Sequence, residues 1–388
     1  MNKDKNQYLD HPIQAIMSRT GSFPLKVAYD LLAEHGNDST IVLDPFCGKG
    51  TTLLAARMLG FRTYGIDVAP EAVICSSAKL SDVTSESVVS YVDGIELCRS
   101  PLSTVPAPIQ KLFHPITLTQ LLSIRNQVIN DMRFGDVSLR AQATFVMAAL
   151  LGILHGHASY ALSISSAHAF SMSPTYVEKF AAKHGLQAPV RDVKSCLITK
   201  ALRCLKVPLP EPVEGEVRIG SAMTCSKIFP ELNQAVDLIL TSPPYLNAQT
   251  YAKDNWLRLW LLGYDHKILR AGYIETGSIQ RYEGYMRSVL KELTIMLKPG
   301  GKLICIAGDV RRPMRKKGTG TTVFETGTFL AELCGSSEIG LKIEGNHIHT
   351  VSSNNRYFHA LNRTNGHSRR DLIERTFILH KPERVQVP

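Results

Sequence analysis

The sequence predicts an α/β fold: a doubly wound, mostly parallel sheet into which a mostly helical domain is inserted. Three observations carry this. First, T-I-V-L-D-P-F (40–46), C-G-K-G (47–50), T-T-L-L-A-A-R-M-L (51–59) and F-R-T-Y-G-I-D-V (61–68) read as strand, tight turn, helix and strand, the β-α-β unit that opens a parallel sheet. Second, from about 82 to 212 strand signals are scarce and apolar residues recur with helical period. Third, strands resume after the proline-rich boundary V-P-L-P-E-P-V-E-G (207–215). The expected division is therefore 1–81 for the first part of the sheet domain, 82–212 for the insertion and 213–388 for the second part.

The elements follow in chain order. Residues 22–35 have helical spacing, with Ser22 placed to cap and Pro24 in the first turn, where a missing N–H does no harm. In the insertion, T-L-T-Q-L-L-S-I-R-N-Q-V-I-N-D-M and L-R-A-Q-A-T-F-V-M-A-A-L-L-G-I-L read as helices. The apolar run 145–154 is too short to span a bilayer and reads as a buried helix. E-V-R-I-G-S-A (216–222) and V-D-L-I-L-T (236–241) read as strands. An amphipathic helix (282–297) stops at K-P-G-G (298–301) and delivers strand G-K-L-I-C-I-A-G (301–308). E-R-T-F-I-L-H-K (374–381) reads as the last strand.

The chain of 388 residues is 44% hydrophobic, enough for one large core or two ordinary ones. A net charge of +10 fits a polyanionic partner. None of the eight cysteines forms a C-x-x-C pair and several lie in apolar runs, which points to reduced core thiols rather than zinc or disulfides. The N-terminal residues M-N-K-D-K-N-Q-Y-L-D have no apolar stretch of the secretory kind, so a cytoplasmic protein without a membrane span is expected.

The first candidate site is D-P-F-C-G-K-G-T-T (44–52). A glycine turn between strand and helix lets a ligand approach the backbone and aims the helix N-terminus at it. Asp67 ends the second strand roughly 20 residues after Asp44, the spacing at which an acidic side chain clamps ribose hydroxyls. A phosphate-binding loop needs a glycine where Leu43 stands, and a nicotinamide fold needs a small residue where Leu53 stands. Asp44 would repel a pyrophosphate but suits a cationic, amino-bearing ligand such as S-adenosyl-L-methionine, which carries a sulfonium and an ammonium.

The second is T-S-P-P-Y (241–245), at the end of a strand. Two prolines cannot sit inside a sheet, but they lock an irregular turn whose carbonyls face outward. Ser242 adds a hydroxyl and Tyr245 a flat face with a polar tip. The set Ser242, Pro243, Pro244 and Tyr245 is suited to holding a planar base whose exocyclic amino group attacks an electrophilic methyl. A base in a duplex would first flip out.

With both sites in view, the sequence resembles the DNA amino-methyltransferases that modify N4 of cytosine or N6 of adenine. D-P-F-C-G-K-G-T-T and T-S-P-P-Y look like their motifs I and IV, G-I-D-V-A-P (65–70) like motif II and S-R-T-G-S-F-P (18–24) loosely like motif X. G-S-A (220–222) stands where motif III usually reads G-D-A. The resemblance implies the Rossmann-like sheet of a class I methyltransferase, with S-adenosyl-L-methionine as cofactor. It places Asp44, Phe46, Gly48 and Gly50 along that cofactor, Asp67 on its ribose and Ser221 where an aspartate normally meets the adenine amino group. Lys49 replaces a common serine. The S-P-P-Y form is commoner among N4-cytosine enzymes. No proline-cysteine pair is present to serve a C5-cytosine mechanism.

The implied partner is double-stranded DNA, with a cognate restriction endonuclease as in restriction–modification. The insertion, with Arg125, Arg133, Arg140, Lys179, Lys183 and Arg191, suits target recognition, and R-R-P-M-R-K-K-G-T-G (311–320) suits phosphate contacts on the rim of both sites. His155 and His157 lack a glutamate or cysteine partner nearby, so no metal is expected. Alternatives are N6-adenine methylation, an RNA guanine-N2 methyltransferase sharing D-P-F-C-G, and a non-catalytic DNA-binding or cofactor-sensing protein.

Overall fold

In the computed structural model, which describes residues 10–19, 22–98, 101–165, 173–246, 251–313, 321–351 and 372–383, the apolar runs become strands β1 (Ile41–Asp44), β2 (Arg62–Asp67), β3 (Gly215–Ile219), β4 (Val236–Thr241) and β5 (Leu297–Gly308). The chain continues through β6 (Val310–Pro313), β7 (Thr321–Phe324), β8 (Lys342–Val351) and β9 (Leu372–His380). A seven-stranded sheet runs in the order β3-β2-β1-β4-β5-β9-β8, and β6 and β7 form a separate antiparallel pair. The first five of these strands are parallel, while β9 runs antiparallel to both β5 and β8. This is the mixed, mostly parallel sheet of a Rossmann-like α/β fold. Its strand order reverses between β1 and β4, where such sheets bind ligands beyond their carboxyl ends.

All four residues of β1 are buried, as a strand covered on both faces must be. The helix Ile279–Met296 buries Tyr282, Met286, Val289, Leu290, Leu293 and Met296, a three-and-four spacing that lays one stripe on the sheet. That stripe joins Leu43, Ile239, Leu303 and Phe377 in a single apolar core.

Local details depart from the sequence expectation. The first helix spans Leu25–His35 with Pro24 as its N-cap, so Ser22 does not cap it. The Ser22 hydroxyl donates to the Phe23 carbonyl at 3.1 Å and lies 3.3 Å from the Thr51 hydroxyl. The long helix ends at Met296, and the Lys298–Gly301 stretch is already part of β5 because Gly300 and Gly301 pair with Lys381. The hairpin β6–β7, the helix Thr326–Gly335 and β8 carry weaker sequence patterns and were not anticipated.

The chain divides into two compact units: 20–68 with 213–250 and 272–388, which holds the sheet, and 1–19 with 69–212 and 251–271, which is helical. In the helical unit the principal helices are Pro70–Leu80, Ser85–Gly94, Pro115–Phe134, Val137–Ile153, Pro174–His184 and Val193–Cys204. Residues 145–151 are buried within Val137–Ile153. Polar and charged pairs tie the N-terminal segment into this unit. Arg19 meets the fully buried Glu71 at 2.7 Å, Lys79 donates to Gln14, and Arg258 reaches the Leu151 carbonyl and the Ser18 hydroxyl. Among the described residues no helix is long and apolar enough to cross a membrane. All eight cysteines are free, and every one but Cys98 is buried.

Candidate functional site

The parallel register of β1, β2 and β4 sets Asp44, Asp67 and Thr241 at neighbouring strand ends. Asp44 is 3% exposed. Its Oδ1 accepts a 2.7 Å hydrogen bond from the Thr241 hydroxyl and a 3.1 Å bond from the Phe46 amide. Burial pushes the Asp44 carboxyl up to about 6, against the pull of these donors. No cation pairs with it among the described residues, so it is an acidic group held in a desolvated position.

The turn after β1 needs its glycines. Gly48 and Gly50 have φ of 52° and 74°, in the left-handed region, and Gly50 is the N-cap of the helix Thr51–Met58. The Gly48 amide donates to Asp67 Oδ2 at 2.9 Å, so the β2 carboxylate fixes the glycine turn. Gly65, on β2, is crowded from the same side: a Cβ there would lie 2.8 Å from Leu53 Cδ1 and 3.2 Å from the Cys47 side chain.

Ser221 turns inward on its own loop, accepting from the Met223 amide at 3.3 Å as the cap of a short 3-10 turn. The preceding Gly220 amide donates to the Asp67 carbonyl at 2.9 Å, so this loop joins β2 through backbone. Phe46 packs against Tyr285 with ring centroids 6.5 Å apart. The Tyr285 hydroxyl is pushed up by burial and then by the Asp67 charge.

The S-P-P-Y turn is braced from three sides. The Ser242 and Tyr245 hydroxyls lie 3.3 Å apart. The Tyr282 hydroxyl, itself buried, donates to the Pro244 carbonyl at 3.0 Å. A Cβ on Gly308, at the end of β5, would sit 3.5 Å from the Tyr245 ring and its hydroxyl, so the ring rests against that glycine.

The structure therefore brings Asp44, Phe46, Gly48, Gly50 and Asp67 together with Ser242, Pro243, Pro244 and Tyr245 at the carboxyl ends of β1, β2 and β4, with Ser221 beside them on the loop after β3. Tyr282, Tyr285 and Gly308 also pack against these residues, and sequence reasoning passed over them, while Thr241 stood in the T-S-P-P-Y motif without a role. The signal was faint. Tyr282 and Tyr285 are three residues apart on one amphipathic helix, a spacing that reads as ordinary core.

The remaining sequence expectations fare differently. Residues 314–320 of the basic run, 166–172 of the histidine-rich run, and Thr20 and Gly21 lie outside the described residues. His155 Nδ1 is 2.8 Å from the Ser163 hydroxyl, and among the described residues no cluster of three metal-ligating side chains occurs. In the helical unit Arg125 and Arg191 are used internally, donating to the carbonyls of Leu261 and Ala161. Arg133, Arg140, Lys179 and Lys183 are exposed.

Comparison with known proteins adds four findings. The family model N6_N4_Mtase, described as DNA methylase, matches residues 2–77. The type II methyltransferase M.BsoBI of Geobacillus stearothermophilus is 24% identical over 277 residues, which cover 64% of this chain and 52% of that protein. The type II methyltransferase M.MjaII of Methanocaldococcus jannaschii is 32% identical over 68 residues, covering 18% of this chain and 13% of that protein. The chain thus spans about half the length of the first relative and less of the second. Among solved structures, the rRNA methyltransferase aviRa of Streptomyces viridochromogenes aligns at TM-score 0.35 and 11% identity over 96% of this chain and 93% of that one. The N-terminal part of the chain, residues 2–77, is thus similar to the DNA methylase family, and the longer match is to a type II methyltransferase.

Proposed function

We propose that the protein is an S-adenosyl-L-methionine-dependent DNA methyltransferase that acts on an exocyclic amino group, N4 of cytosine in preference to N6 of adenine. One observation carries the reading: the 2.7 Å bond from Thr241 to Asp44, which locks the glycine-turn strand to the strand that bears S-P-P-Y.

The donor set fits the cofactor. Asp44 is a buried carboxyl with no cationic partner among the described residues, and a positively charged ligand would stabilise its ionised form. The left-handed glycines expose backbone at the turn, and Asp67 stands roughly where a ribose clamp is needed. Phe46 and Tyr285 supply aromatic faces beside it. Asp44, Phe46, Gly48, Gly50 and Asp67 would hold S-adenosyl-L-methionine, with Ser221 contributing its loop. When bound, the cofactor supplies an electrophilic methyl group.

The chain's own contribution is positioning. An aromatic amino nitrogen is a poor nucleophile because its lone pair is delocalised into the ring. Ser242 and the carbonyl of Pro243 accept its N–H bonds, which leaves the lone pair directed at the methyl, and Tyr245 offers a face for stacking. Tyr282 fixes the turn by holding the Pro244 carbonyl. The preference for cytosine rests on Ser242 at the first position of the turn. The exposed Arg133, Arg140, Lys179 and Lys183 make the helical unit the proposed reader of double-stranded DNA. A companion restriction endonuclease belongs to this reading by analogy with the type II relatives.

The test is incubation with labelled S-adenosyl-L-methionine and unmethylated DNA, digestion to nucleosides and mass spectrometry, with Tyr245→Ala as control. N4-methylcytosine is expected. N6-methyladenine would overturn the base assignment, and methylation of RNA alone would overturn the substrate.

A further inference from the structure

The S-P-P-Y turn offers hydroxyls and carbonyls to a base, but no carboxylate. An amino group that gains a methyl must lose a proton, and a charged acceptor beside the turn is what such chemistry lacks. The sheet brings one there. In the antiparallel pairing of β5 with β9, Gly308 stands opposite Glu374. Directly opposed residues project to the same face, with Cβ positions roughly 5 Å apart. The Gly308 position is the one against which the Tyr245 ring rests, at 3.5 Å from Cε2, Cζ and the hydroxyl. Glu374 therefore shares a sheet face with the Gly308 position on which Tyr245 rests, and the Tyr245 hydroxyl is itself 3.3 Å from the Ser242 hydroxyl.

The neighbouring acid is engaged elsewhere. Asp309 follows Gly308 and so points to the opposite face, where Arg375 lies 3.6 Å away. The Glu374 side chain has no ion pair or hydrogen bond among the described residues. It is half-buried, and burial alone raises its carboxyl above the ordinary glutamate range. Its register partner on β8 is His349. A half-buried carboxylate with no ion pair or hydrogen bond among the described residues, held on a sheet strand opposite Gly308, adds nothing to the fold that an apolar residue would not.

We propose that Glu374 is the proton acceptor of the base site. The amino N–H that the Ser242 hydroxyl accepts is shared with the Glu374 carboxylate. As the nitrogen–methyl bond forms and the methyl–sulfur bond breaks, with its electron pair passing to sulfur, the nitrogen's proton passes to the Glu374 carboxylate and then to water. This rests on the methyltransferase reading above.

Wild type, Glu374→Gln and Glu374→Asp are compared in single-turnover transfer of tritiated methyl from S-adenosyl-L-methionine to phage lambda DNA. Calorimetric affinity for S-adenosyl-L-methionine and 13C NMR titration of glutamate-labelled, cofactor-free protein are measured alongside. E374Q is expected to lose about 100-fold or more in transfer rate, the usual scale for a removed acid–base group, with cofactor affinity within about twofold of wild type. E374D is expected to retain part of the rate. One carboxyl resonance titrating above the ordinary glutamate range should be present in wild type and missing from E374Q. Transfer by E374Q within about threefold of wild type, or a parallel loss of cofactor affinity in both variants, would overturn the assignment while leaving the methyltransferase reading intact. A wild-type protein inert on this DNA would instead overturn that reading, and the assignment with it.

Discussion

The Thr241 hydroxyl donates to Asp44 Oδ1 at 2.7 Å, across two strands that lie 197 positions apart in sequence. One bond thus couples the glycine turn, the proposed cofactor site, to the S-P-P-Y turn, the proposed base site. Its two ends are buried, so neither finds a substitute in water.

Thr241→Val keeps the shape and removes the donor. The buried carboxyl then loses its shortest hydrogen bond, and the expected cost is about 1–3 kcal/mol. Urea denaturation of the two proteins measures it. A change below about 0.5 kcal/mol would show that the Asp44 carboxyl draws its support from the Thr52 hydroxyl and the Phe46 amide instead.

If Asp44 holds the cofactor as proposed, cofactor affinity should depend on pH. Its folded-state carboxyl sits at about 6, raised by burial from an ordinary 3.8, so the folded chain holds this proton more tightly than the unfolded chain. The contribution to stability is full below the unfolded value and is lost as pH rises through about 6. A cationic ligand reverses the preference, because it favours the ionised carboxyl. Affinity for S-adenosyl-L-methionine should therefore fall as pH drops from about 7 to about 5, on either side of the folded-state value, and Asp44→Asn should remove most of that dependence. Calorimetric titrations at both values decide it. A flat wild-type profile would separate Asp44 from the ligand's charge.

Tyr282→Phe removes the donor to the Pro244 carbonyl with almost no change in volume. Stability should fall by roughly 1 kcal/mol, the net worth of one such bond. The transfer rate should fall further than cofactor affinity, because the bond fixes the base turn and not the glycine turn. Parallel losses in rate and in cofactor affinity would mean that the two turns move as one body.

Gly65→Ala places a methyl 2.8 Å from Leu53 Cδ1 and 3.2 Å from Cys47. Leu53 is fully buried and cannot swing aside freely, so a cost of about 1–3 kcal/mol from overpacking is expected, along with weakened cofactor binding through the displaced glycine turn. Thermal unfolding and cofactor titration test the two effects separately.

Much of this site was legible in the chain because its parts are local. Strand, glycine turn and helix follow one another within residues 40–59, and the left-handed φ of Gly48 and Gly50 is a property that the sequence announces. The prolines after β4 likewise forbid continuation of the strand, so Ser242 and Tyr245 had to leave the sheet at its carboxyl end. Ser221 shows the limit of local reading. Its hydroxyl caps its own 3-10 turn, which no motif alignment reveals.

What the sequence by itself determined is the set of short-range constraints: where chains turn, which faces are apolar and which residue types stand at strand ends. These depend on a few consecutive residues and on a periodicity of about two or about 3.6. Only the tertiary structure decided which strand ends become neighbours. The insertion of antiparallel β9 beside β5 sets Glu374 opposite Gly308, the residue against which the Tyr245 ring rests. The packing of helix Ile279–Met296 over the strand ends carries Tyr282 to Pro244 and Tyr285 to Phe46. Such contacts join residues separated by tens to hundreds of positions, and their partners are selected by strand register and core packing, which act through the whole sheet at once.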